Sequence, residues 1–317
     1  MGLSQIVKSG VVKGSSLHKV FEYTKKNNFA IPCISVLNTE TINASLESAS
    51  KSNSALMIQV NNENSKLFAG KVSKGDASTL GAINVANHLH TLSSSYKVPV
   101  ILTTDYISSV NLDWLDLLID AGIEYYKLHT YALYSSYAID LSNESYEESL
   151  KIAKKYLKRV SKIGMGLEIK IGINYASTIE LCNLYIELQK ISPNFMISFL
   201  FLDEEISDIK KLFLSSQKII QKTFKTSSKP INFVFDGDFS IKKDTCEIIN
   251  TGVVKINLDA EIKNAFCDGI HNYEELNKEK NLLGKYIEPK KWLREIQKAI
   301  IKKVNSSIKE YNAKDTL

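Results

Sequence analysis

The chain has 317 residues, of which 44% are hydrophobic and 24% charged, with a formal net charge of +5. Such a length buries a large core, and these proportions belong to a globular protein rather than a disordered or low-complexity one. No run of 18 apolar residues occurs, so no membrane-spanning helix is expected, and the lysines are scattered without interleaved aromatics, so no nucleic-acid partner is expected either. The first ten residues lack a long apolar stretch and a small-residue cleavage site, which argues against secretion. Cys33, Cys182, Cys246 and Cys267 form no CxxC pair and read as reduced thiols in a cytoplasmic setting, an organellar or cytoskeletal complex remaining open.

In chain order, Gly10 and Gly14 flank a turn, and Leu17, Val20, Phe21 and Tyr23 repeat at helical spacing. Residues 29–36 form an apolar strand, and 39–50 a helix that Thr39 could cap. A second strand at 55–60 ends at Asn61-Asn62. A helix over 80–96 precedes a third strand at 98–103. Residues 114–121 read as helix and 123–128 as the fourth strand. A lysine-edged helix spans 145–163, and the fifth strand 167–171. A helix over 177–190, a sixth strand at 194–201 and a helix over 206–224 follow. Two further apolar strands, 231–235 and 253–258, flank a short helix. Residues 268–288, rich in Lys and Asn, read as a loose loop, and Pro289 begins an amphipathic tail helix. Eight strands alternating with helices predict an α/β fold, a (β/α)8 TIM barrel, as one domain over 1–317. An open doubly wound sheet is the alternative, but no GxGxxG turn follows the first strand.

The seventh and eighth strands end in Asp236-Gly237-Asp238 and in Asn257-Leu258-Asp259, and polar residues at carboxyl ends of barrel strands are where such a fold places its site. The text here and elsewhere resembles the class II fructose-bisphosphate aldolase family. The phrases include Asn27-Asn28-Phe29-Ala30, Thr41-Ile42-Asn43-Ala44 and Phe68-Ala69-Gly70-Lys71. Leu117-Leu118-Ile119-Asp120-Ala121-Gly122, Ile139-Asp140-Leu141-Ser142, Val253-Val254-Lys255-Ile256-Asn257-Leu258-Asp259 and Trp292-Leu293-Arg294 extend the likeness along the chain.

The resemblance implies a divalent cation, usually zinc, held by three imidazoles and acting as a Lewis acid on a ketose carbonyl. At the positions matching those imidazoles the chain has Tyr106 in Thr103-Thr104-Asp105-Tyr106, no His between His129 and His271, and Asp236. The family's Leu-Glu-x-Glu reads Leu167-Glu168-Ile169-Lys170, and a lysine beside a dication would repel it. The loop that carries the family's proton-transfer acid is missing after Gly172. Of the phosphate grip, Gly237 remains, with Asp238 and Phe239 following it.

These contrasts lead to the expectation of a catalytically inactive aldolase-like pseudoenzyme, a structural or interaction subunit with no cofactor. Its degenerate site positions would be Asp105, Tyr106, Lys170 and Asp236. Gly237, Asn257, Asp259 and Arg294 would be remnants of substrate binding. A weak alternative metal set is Asp105, Asp140 and Asp236. Lys127 and Lys170 read as ion-pair partners. The resemblance further implies a homodimer built through the C-terminal segment 289–317, or a heteromer with an active relative or a larger assembly. The alternatives are an enzyme or binder for another small phosphorylated ligand, and an atypical active fructose-bisphosphate aldolase of glycolysis.

Overall fold

The computed structural model describes residues 2–14, 16–172, 178–200, 205–236, 242–278 and 288–317. Its strands are apolar on both faces, because each is covered by helices outside and by side chains inside. After the short β1 (Gly10–Val11) come β2 (Ile31–Ser35), β3 (Leu56–Val60) and β4 (Pro99–Thr104), every residue of the last three buried. They are followed by β5 (Ile107–Ser108), β6 (Ser136–Asp140), β7 (Gly166–Gly172), β8 (Phe195–Leu200), β9 (Phe233–Phe235) and β10 (Val253–Leu258).

The ten described strands lie parallel in one curled sheet, in the order β1-β4-β3-β2-β10-β9-β8-β7-β6-β5. At its two sides β4 and β6 are joined by individual bonds. Ser135 N donates to the Leu102 carbonyl at 2.8 Å, Leu102 N to Ser135 Oγ at 3.1 Å, and Ala138 N to Thr104 Oγ1 at 2.9 Å. The architecture is thus α/β with a curled parallel sheet; eight of the ten strands are the long ones, while β1 and β5 have two residues each.

Eleven helices are described: α1 (Ser16–Lys26), α2 (Thr39–Lys51), α3 (Asn62–Ala69), α4 (Ala77–Leu92), α5 (Leu112–His129), α6 (Tyr146–Ser161), α7 (Thr178–Gln189), α8 (Ile206–Phe224), α9 (Lys242–Ile249), α10 (Ala260–Leu276) and α11 (Pro289–Glu310). Side-chain caps start several of them. Asn38 Oδ1 accepts from Thr41 N, Asn61 Oδ1 from Asn64 N, and Asp76 Oδ2 from Thr79 N. The cap of α2 is therefore Asn38, one residue before the expected Thr39.

Three elements differ from the sequence expectations. Residues 123–128 continue α5 instead of forming a strand. Leu115, Leu118, Ile119 and Gly122 are buried at helical spacing, and the helix stops only at Thr130, whose left-handed backbone (φ 62°) ends it. The fourth long strand is β6, a five-residue buried segment after that stop. Helix α3 lies in a stretch to which no element was assigned, and α10 runs to Leu276, well into the expected loose segment. Residues 279–287 of that segment lie outside the described residues.

Two glycines permit close helix packing. A Cβ on Gly81 of α4 would lie 1.7 Å from the Ser65 carbonyl oxygen of α3, and one on Gly269 of α10 would lie 2.5 Å from Ile296 Cα of α11. Helix α11 packs against both α10 and α2.

Candidate functional site at the carboxyl ends of the strands

A charged side chain on a strand buried on both faces must find a partner inside the fold. Lys255 of β10 and Glu168 of β7 solve this together. Their side chains are 0% exposed, and Lys255 Nζ donates to Glu168 Oε2 at 2.7 Å. Burial alone would lower the Lys255 pKa, but nearby negative charge, Glu168 and Asp105 included, outweighs it and holds the ammonium above its ordinary range. Tyr106 lies over this pair. Its hydroxyl donates to Ser198 Oγ of β8 at 2.8 Å, and the Lys255 ammonium sits 5.7 Å from its ring centroid. Burial first, then the Glu168 and Asp236 carboxylates, push the phenol well above its usual range, so it remains protonated and donating.

One layer outward, Lys170 of β7 donates from Nζ to Asp236 Oδ2 at 2.9 Å and stands 4.5 Å above the same Tyr106 ring. The Lys170 side chain is 11% exposed and that of Asp236, just after β9, 31%. Asn257 of β10 donates from Nδ2 to Asp236 Oδ1 at 3.3 Å. Asp105 accepts from Tyr106 N at 2.8 Å, and burial raises its carboxyl pKa. Beneath, Cys33 Sγ donates to Gln59 Oε1 at 3.2 Å, and Gln59 Nε2 to Ser35 Oγ at 2.8 Å. Glu168 Oε1, Asn257 Oδ1 and Asp259 Oδ1 are buried acceptors with no partner among the described residues.

Asp105, Tyr106, Lys170, Asp236 and Asn257 therefore share one polar network. Asp259 stands at the start of α10 and pairs with Lys263 at 2.6 Å. Asp140 instead turns onto its own loop, accepting from Ser142 N and Oγ at 2.9 and 2.6 Å. Arg294 grips Glu47 of α2 through two bonds of 2.9 and 3.0 Å, within the same chain. Gly237, with Asp238 and Phe239, falls outside the described residues. Lys127 pairs with Glu124 at 2.6 Å. His129 closes α5 and packs on Tyr125, ring centroids 4.1 Å apart, rather than ending a strand. In the sequence Lys255 and Glu168 stood out only as parts of phrases shared with the family, and Ser198 was not singled out. The missed signal was a lysine and a glutamate each set inside an apolar strand.

A sequence profile described as Fructose-bisphosphate aldolase class-II matches residues 15–178 and 208–316. A fructose-bisphosphate aldolase of Campylobacter jejuni (strain 81-176) is 36% identical, covering 98% of this chain and 99% of its own. The fructose-bisphosphate aldolase class 2 of Escherichia coli K12 is 35% identical, covering 98% of each. The crystal structure of a Campylobacter jejuni fructose-bisphosphate aldolase superposes over 100% of both chains with a TM-score of 0.92.

These relatives overturn two expectations. Full-length similarity to proteins named as aldolases contradicts the reading of the chain as an inactive structural pseudoenzyme. It also contradicts the expectation of no cofactor, which rested on treating the family's zinc as lost. Whether the described side chains fit such an ion is a separate matter, and they do not. No three His, Cys, Asp or Glu among them come together as a metal-holding group, the proposed Asp105, Asp140 and Asp236 included. An ammonium, Lys170, occupies the ground beside Asp236. Segments 173–177, 201–204 and 237–241, which follow β7, β8 and β9, lie outside the described residues.

Proposed function

Because the chain belongs to the class II fructose-bisphosphate aldolase family, we propose that it is a carbon–carbon lyase, related to glycolysis, that cleaves fructose bisphosphate into two triose phosphates. The observation that carries this reading is the relationship itself, 35–36% identity spread over 98% of the chain. The mouth is chemically compatible with a polyhydroxy ketone. Acceptors on Asn257 and Asp259 that lack a partner among the described residues can receive substrate hydroxyls, while Lys170 has N–H donors beyond the one it gives Asp236. Zinc, where a family member holds it, supplies Lewis acidity at the ketone; the roles assigned here belong to the chain's own groups.

The same proposal includes one domain over residues 1–317 and a sheet closed between β4 and β6 as an eight-stranded barrel, with β1 and β5 as short additions. It includes a homodimer, and a reducing cytoplasmic setting in keeping with four free cysteines. Among the described residues no helix is long and apolar enough to cross a membrane.

The test is steady-state cleavage of fructose 1,6-bisphosphate by the purified full chain. Turnover on the order of 1–10³ s⁻¹ is expected. Absence of triose phosphate above the uncatalysed background would contradict the proposal.

A further inference from the structure

Among the described residues, the mouth of this sheet leaves hydrogen-bonding capacity of both signs unused around one reachable cation. An ammonium has three N–H donors. Lys170 gives one to Asp236 Oδ2 at 2.9 Å and lays its charge over the Tyr106 ring at 4.5 Å. No further acceptor is described for it. Lys255, the neighbouring cation, is sealed at 0% exposure on Glu168, so Lys170 is the one that faces the opening. Asn257 is only 8% exposed, and its Oδ1 has no partner although its Nδ2 reaches Asp236 at 3.3 Å. A ligand that satisfies both vacancies carries an acceptor beside a donor, which describes a ketone flanked by a hydroxyl.

The described side chains do not fit a metal ion, yet breaking a bond next to a ketone needs positive charge at its oxygen. We propose that the Lys170 ammonium is a catalytic electrophile, donating to the ketone oxygen and holding the negative charge that gathers there as the carbon–carbon bond breaks. Asp236 is the companion base. The hydroxyl proton on the far side of the breaking bond passes to the Asp236 carboxylate as that carbon becomes the aldehyde. The electron pair of the broken bond moves into the ketone fragment, whose enolate oxygen stays on Lys170. Asp236 then returns its proton to the enolate carbon, and both side chains regain their starting states. No oxidant, reductant or lost atom is involved.

This inference rests on the lyase reading, and one experiment separates the two. Cleavage of fructose 1,6-bisphosphate is measured for the full chain and for Lys170→Met, Lys170→Arg and Asp236→Asn. In parallel, hydrogen exchange at the carbon of dihydroxyacetone phosphate is followed in heavy water, which reads enolate formation alone. Turnover by the native chain is expected, with kcat of Lys170→Met lower by about 10²–10³-fold, KM within about threefold and exchange reduced to match. Lys170→Arg, which keeps a cation, should recover part of kcat, a gain that a purely structural role would not show. Should Lys170→Met unfold, Lys170→Arg and Asp236→Asn carry the comparison, Asp236→Asn losing exchange as well as cleavage. A native chain without turnover defeats the lyase reading, and this inference with it. Turnover that survives Lys170→Met, or is restored to it by added zinc, overturns the electrophile alone. So does a borohydride-trapped adduct of the ketone on Lys170, which would make the contact covalent.

Discussion

Lys255 and Glu168 form a charged pair whose side chains are fully buried, and such a pair is far more costly to break than to replace. Lys255→Met leaves the Glu168 carboxylate buried without its cation and should destabilise the fold by about 3–5 kcal/mol in chemical denaturation. The double variant Lys255→Met/Glu168→Met should recover most of that loss. A double variant as unstable as the sum of its parts would show that the two charges are not coupled. At the rim of the helical layer, the Arg294 guanidinium and then the Lys51 ammonium, both hydrogen-bonded to Glu47, hold its carboxyl down to about 2. Its folded pKa lies below the unfolded value of about 4.3, so the stability it adds is present above that value and is lost as pH falls towards about 2. After allowance for solvent screening this is about 1 kcal/mol. Glu47→Gln should therefore flatten the acid limb of the melting temperature between pH 5 and pH 2, whereas an unchanged limb would assign the acid sensitivity elsewhere. At this scale the sequence pointed to Tyr106, Lys170 and Asp236 through the positions they match in the family, Asp236 also as a polar residue closing an apolar strand. It could not show that Arg294 turns to Glu47, 247 residues away, or that the short loop after β6 bends so that Asp140 accepts from Ser142 two residues on.

Elements were legible wherever their period was unambiguous. β2, β3 and β10 are short, mostly apolar and buried throughout, and α6 carries its lysines on one side of a regular apolar stripe. Residues 123–128 misled because Ile123 and Leu128 suit a strand as well as a helix. The outcome was set by Gly122, whose missing side chain lets α5 lie close to Tyr137; a Cβ there would stand 3.3 Å from the Tyr137 hydroxyl oxygen. Helix α3 was hidden for a different reason. Asn, Glu, Ser and Lys dominate it, only Ser65 is buried, and its stability comes from the Asn61 cap and from α4 pressed against it. That dependence can be measured. Gly81→Ala places a Cβ against the Ser65 carbonyl, so α3 and α4 must separate. A loss of at least about 2 kcal/mol is expected, with amide exchange rising selectively in α3. Unchanged protection of α3 would mean that the two helices do not support one another.

The whole molecule preserves the architecture of a relative. A TM-score of 0.92 to a Campylobacter jejuni aldolase at 35% identity shows how little the backbone responds to sequence divergence. Packing explains why: the strands are held by apolar faces and by parallel ladders, and neither depends on what stands at a strand's last residue. The βα alternation therefore made an α/β fold with a parallel sheet legible, whereas function was misjudged because three positions read as lost imidazoles were given more weight than a likeness running through the remaining chain. Lys170 and Asp236 keep opposite charges in contact at the centre of that mouth, and a polar network of this kind is what a reacting ketone requires. The most direct measurement is phosphorus NMR of fructose 1,6-bisphosphate incubated with the purified full-length chain. The account predicts that the bisphosphate signals give way to those of two triose phosphates at a rate proportional to enzyme concentration. A spectrum unchanged over many expected turnovers would contradict it.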